Sequence, residues 1–151
     1  LGYWGNKSGG DEYVRTPIKW TKGGKVASAR LNGKVDNAML TDDMSVEAQQ
    51  ADSKSVLKVY EDFGQARTKY AALANGSLDY CADAAQNTRI AAWYRTSGSQ
   101  KVLVVHNFGG NQTSISFTGA RLDRNICSNG TVTVGGSKLT LGGYSSAIFL
   151  Q

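Results

Sequence analysis

One histidine, one proline and two cysteines occur in 151 residues, and each scarcity removes a class of protein. With His106 as the sole imidazole, and with Cys81 and Cys127 far from the paired spacing of metal ligands, no metal site is expected. The cysteines leave two readings open. A disulfide between them would close a loop of about 45 residues and stabilise by about 3–4 kcal/mol in the chain-entropy picture. Two buried thiols are the alternative, since free cysteine is among the most buried residue types. No apolar run approaches the roughly 18 residues of a membrane helix, so no membrane segment is expected. No phosphate-cradling glycine loop opens a helix, and no cofactor is expected. No Gly-x-Ser-x-Gly elbow accompanies His106, which reads as a strand-end side chain with a backbone partner rather than a catalytic base.

What is present has to be placed before it is used. The formal net charge is +5, but residues 1–34 carry all of the excess, with seven basic side chains against Asp11 and Glu12. Those lysines and arginines are scattered among Gly and Ser, form no helical stripe and have no ladder of stacking aromatics, so no nucleic-acid partner is expected. Twelve carboxylates invite a glycosidase reading, which needs two facing carboxyl groups. The pairs Asp11-Glu12, Asp42-Asp43 and Glu61-Asp62 are adjacent in sequence, and adjacent side chains diverge on both helices and strands. They read as solvated surface acids, and no catalytic residue is assigned.

Three zones follow along the chain. Residues 1–44 lack a helical or strand period, hold the only proline and are rich in Gly, Lys, Asn and Asp, a loop signature. So long a loop suggests a surface elsewhere on which it packs. Residues 45–73 carry a helical period, with Asp52 or Ser53 as N-cap, a helix over about 53–73, and Val56, Tyr60, Phe63, Arg67 and Tyr70 on one face. Gly64 inside it predicts close approach of another element. From residue 78 the pattern changes to short β-type runs at 78–82, 89–96, 100–107, 112–117, 131–134, 138–141 and 144–150, with a further candidate at 121–127. That spacing predicts an antiparallel β-sandwich. Residues 102–105 are continuously apolar, as in a central strand covered on both faces, whereas 112–117 alternate like a half-exposed one.

Within the first zone, residues 10–20 combine an arginine fork at Arg15, a stiffening Pro17 and a flat apolar face at Trp20, a set of groups that suits sugar hydroxyls. An ion pair of Arg15 with Asp11 or Glu12 and a packed Trp20 is the competing reading.

The order of four blocks carries a resemblance. Leu-Gly-Tyr-Trp-Gly is followed by Gly-Gly-Asp-Glu-Tyr-Val-Arg-Thr-Pro-Ile-Lys-Trp, then Ser-Val-Glu-Ala-Gln-Gln at 45–50, then Ser-Val-Leu-Lys-Val-Tyr-Glu-Asp-Phe-Gly-Gln-Ala-Arg-Thr-Lys-Tyr-Ala-Ala-Leu-Ala-Asn-Gly at 55–76. Together with Lys-Val-Leu-Val-Val-His-Asn-Phe-Gly at 101–109, this resembles the C-terminal part of the α-amylase family of glycoside hydrolases. The resemblance implies a mainly β chain: residues 1–75 as the end of the catalytic (β/α)8 barrel, with one amphipathic helix after an irregular segment, and residues 76–151 as domain C, a Greek-key sandwich. It implies that the family's catalytic carboxylates lie outside this sequence, that Arg15 and Trp20 sit near the mouth of the parent's active site, and that the parent is extracytoplasmic. Ile18 and Lys19 depart from the Met-Gln of oligoglucosidase members. The implied role is non-catalytic: the missing barrel is the partner, and α-glucan the parent's substrate. The helix face at Val56, Tyr60 and Phe63 needs cover from domain C or from self-association. A module that itself binds α-glucan through Trp93, Tyr94 or Tyr144 is the alternative. Trp93 and Tyr94 alternate across one strand, so only one of them can be an exposed platform.

Overall fold

The computed structural model describes residues 18–25 and 40–151. The chain folds as two compact units, Leu1–Glu61 and Asp62–Gln151. Residues 62–69 of the amphipathic helix fall in the second of these units.

The predicted single helix is three. α1 (Val46–Ala51) starts where the Ser45 hydroxyl accepts the Ala48 N–H at 3.1 Å. It ends as the Asp52 carboxylate accepts the Lys54 N–H at 2.8 Å, a local turn that competes with helix. α2 (Val56–Lys69) then restarts from Ser55, whose hydroxyl accepts the Lys58 N–H at 3.1 Å, so the cap is Ser55 and neither Asp52 nor Ser53. Tyr70 takes an extended conformation, and α3 (Ala71–Asn75) follows it. Gly64 was expected at a close approach; a Cβ there meets nothing within 4 Å.

The second unit is an antiparallel sandwich. One sheet has the order β1-β2-β3-β8-β5 and the other β4-β7-β6. The strands are β1 (Ser77–Tyr80), β2 (Ile90–Ser97), β3 (Gln100–Asn107), β4 (Thr113–Ser116), β5 (Asn125–Asn129), β6 (Val132–Gly135), β7 (Lys138–Leu141) and β8 (Ser146–Leu150). β8 follows β7 after the short turn at residues 142–145, crosses from the small sheet to the large one and lies between β3 and β5, the non-sequential neighbour relation that a Greek-key path produces.

The central strand β3 of the large sheet is covered on both faces, and the alternation along it shows this. Leu103 and Val105 join Ala147, Phe149, Ile115, Phe117, Leu139 and Leu141 in the core between the sheets. Val102 and Val104 point the other way, where they cluster with Ile148 and with Ala66, Ala72 and Leu73 of α2 and α3. The continuous apolar run at 102–105 is thus the signature of a strand with two dry faces. In β4 only the alternate Ile115 is buried, as the period of two requires.

A register shift between Asn125 and Cys127 bulges β5 and turns the adjacent Ile126 and Cys127 together toward the helix-side cluster. Gly76 is required by close approach, since a Cβ there would lie 2.4 Å from the Ala72 carbonyl oxygen. Buried Asn107 ties two loops together: its Nδ2 donates to Gly142 O at 2.8 Å and Asn111 O at 2.9 Å, and its Oδ1 accepts the Gly109 N–H at 2.9 Å.

Candidate functional site

Two places carry chemistry, one in each unit. In the first, residues 18–25 are fastened to the start of α1. Val46 and Glu47 donate their N–H groups to Lys19 O at 2.9 Å and Trp20 O at 3.0 Å. Lys22 N–H donates to the Glu47 carboxylate at 2.8 Å. The nearly buried Lys19 ammonium donates to Asp42 Oδ1 at 2.7 Å and to Leu40 O at 2.8 Å, and Gly23 N–H donates to the same Asp42 oxygen at 2.8 Å. The Lys19 and Gly23 hydrogen bonds hold the Asp42 carboxyl below its usual range. This clasp fixes the backbone of Trp20 while its side chain stays 66% exposed. The competing expectation of a packed Trp20 is therefore not met. Arg15 lies outside the described residues, so its relation to Trp20 is left to function.

In the second unit, the His106 Nδ1 lies 2.6 Å from the Ser146 hydroxyl oxygen. The partner of His106 is thus a side chain, not the backbone group expected from sequence. A serine beside a histidine invites a hydrolase reading, but His106 and Ser146 are directly paired across β3 and β8, where such contacts hold strands together. A competent dyad also needs a group to orient the base. The rings that flank the imidazole are Trp93 at 5.1 Å and Phe108 at 5.7 Å between centroids, and neither is a hydrogen-bond acceptor that could orient a base. No group of three His, Cys, Asp or Glu among the described residues could hold a metal ion.

Burial depresses the His106 pKa below 6.5, so the fold favours neutral imidazole. The unfolded chain then binds more protons below about pH 6.5, and stability should fall as pH drops through that value and be flat above it. Asp42 and Asp123, both lowered from 3.8, lose their contributions only at more acid pH. Thermal unfolding between pH 7.5 and 5 is expected to show this loss, and His106→Gln to flatten it.

The candidate platforms separate as their alternation requires, yet neither Trp93 nor Tyr94 stands free. Trp93 packs on the helix side, and Tyr94 packs against the inter-sheet core with the Lys101 ammonium 4.0 Å from its ring centre. Burial, then the Cys81 thiol, pushes the Tyr94 phenol up to about 12. Tyr144 is 72% exposed, in a turn with φ 54°. The disulfide reading is corrected: both thiols are free, Cys81 in the inter-sheet core and Cys127 against the helix-side cluster, on opposite faces of the large sheet. Burial also raises the Cys127 pKa.

Residues 90–148 match the family model described as "Alpha-amylase SusG C-terminal domain". Over 99% of its length the chain is 34% identical to "Alpha-amylase SusG" of Bacteroides thetaiotaomicron, covering 22% of that protein. The chain is thus similar in sequence to the C-terminal region of an α-amylase. It is also 25% identical to "Alpha-amylase 3" of Dictyoglomus thermophilum, over 91% of the chain and 27% of that relative. It therefore spans about a quarter of the length of the curated relatives it matches. A solved structure of a mutant of the trehalulose synthase MutB superposes with a TM-score of 0.72 at 23% identity, over 93% of this chain and 26% of that one, a likeness of fold.

Proposed function

We propose that this chain is the non-catalytic C-terminal region of an extracytoplasmic α-amylase-type glycoside hydrolase acting on starch or related α-glucans, in which it completes and stabilises the catalytic barrel. The observation that carries the reading is the 34% identity to an α-amylase along 99% of the chain. Residues 1–75 then derive from the end of the barrel, and Arg15 and Trp20 contribute to the mouth of the parent's active site. The exposed Trp20 on its fixed backbone supports that role. Extracytoplasmic action fits a polymeric substrate too large to cross a membrane. Among the described residues, no helix is long and apolar enough to span one.

A self-standing glucan-binding module would need exposed stacking rings, and of its three candidates only Tyr144 is free. Isothermal titration of the 151-residue chain with maltoheptaose separates the two roles. No binding at millimolar sugar is expected; millimolar or tighter affinity would favour the module.

A further inference from the structure

The helix-side face of the large sheet is only partly covered. α2 and α3 pack over Val102, Val104 and Ile148, but toward β1 the face is open. Leu78 and Tyr80 of β1 stand directly opposite Arg95 and Trp93 of β2, so their side chains share this face, and both are 62% exposed. From Trp93 the row continues through His106 to Phe108, which is 67% exposed. Apolar surface of this kind on one face marks an interaction site.

A cavity of about 250 Å³ opens between this row and α2, lined in part by Phe63, Arg67, Trp93, Arg95 and His106. Its charge is one-sided. Arg67 donates to the helix-end carbonyls of Leu73 at 3.1 Å and Ala74 at 3.4 Å. Arg95 does not resolve in the same way: its Nε is buried and, among the described residues, has no hydrogen-bond partner. A buried donor without an acceptor is destabilising, more so when charged. Among the described residues no carboxylate lines the cavity.

We infer that this surface is a docking site for another segment of the same α-amylase polypeptide, one that lays apolar side chains on Leu78, Tyr80 and Phe108 and presents an Asp or Glu carboxylate to Arg95. The inference rests on the proposed function. The occupant follows from two facts: the curated relatives have about three quarters of their length outside the matched region, and the cavity holds two guanidinium groups with no carboxylate beside them among the described residues. A carboxylate is the acceptor that a guanidinium fork pairs with best.

Arg95→Met, which keeps the apolar stem and removes the donors, is tested in the 151-residue chain and in the intact parent. In the chain it should leave the unfolding midpoint unchanged or raise it, because an unpartnered donor is lost. In the parent it should speed proteolytic opening of the region on the order of tenfold or more, since a buried carboxylate is left unpaired. Arg95→Lys should recover part of that loss. Equal effects in both contexts would overturn the inference. So would sedimentation of the 151-residue chain as a dimer that Arg95→Met dissociates, which would make a second copy the occupant. If the parent needs this chain for starch hydrolysis yet is indifferent to Arg95→Met, the docking assignment fails while the broader function stands.

Discussion

Replacing Phe149 with alanine is expected to lower the unfolding free energy of the sandwich by about 3–5 kcal/mol, the usual result of truncating a buried phenylalanine. Phe149 is fully buried, and β8 lies between β3 and β5, so neighbouring strands limit collapse around the void. It shares its cluster with Leu103 of β3 and with Leu139 and Leu141 of β7, which places it where the two sheets meet. A domain of this size has about 5–15 kcal/mol to lose, so the variant should unfold at much lower urea concentration or fail to fold near body temperature. Phe108→Ala is the internal comparison. Its ring is largely exposed, and truncation should change the stability of the 151-residue chain by no more than about 0.5 kcal/mol. Urea denaturation of both variants measures the contrast, and equal losses would mean that the core is not where the structure puts it.

Much of the sandwich was legible because its strands obey local rules. The unbroken apolar run at 102–105 required two covered faces and has them, in Leu103 and Val105 on one side and Val102 and Val104 on the other. The alternation around Ile115 required one wet face and has it. Less was legible in the helical zone, where the 3.6-residue period continues through residues that break it. Asp52 hydrogen-bonds its own turn, Ser55 caps the restart and Tyr70 goes extended. Periodicity records which side is apolar and does not see these local interruptions.

The site was less legible still, since its contacts are non-local. Ser146 meets His106 because β8 pairs with β3 across 40 residues, a register that no motif announces. The two cysteines left a bond and two buried thiols both open, because burial on opposite faces of a sheet looks the same in sequence as burial side by side. Arg95 reads as an ordinary strand arginine until β1, β3 and α2 surround it and leave its Nε without an acceptor. Gly64 suggested a near neighbour, and its open surroundings show that a helical glycine alone does not locate one. Trp20 stands exposed, and Arg15 falls outside the described residues.

The second large effect follows from the proposed function and concerns the proposed parent enzyme. A barrel deprived of its final loop and helix exposes the neighbours they cover, and a (β/α)8 fold closes only when all eight units are present. The preceding part of the parent, expressed without these 151 residues, is therefore expected to lose most of its starch hydrolysis and its resistance to protease. The chain contributes a sandwich whose large sheet is already dry on one face and partly open on the other. Starch hydrolysis by the separated parts and by their mixture is the most direct measurement. The chain alone should be inactive, the preceding part alone should be nearly so, and mixing them should restore activity; hydrolysis by the chain alone, or full activity without it, would contradict the account.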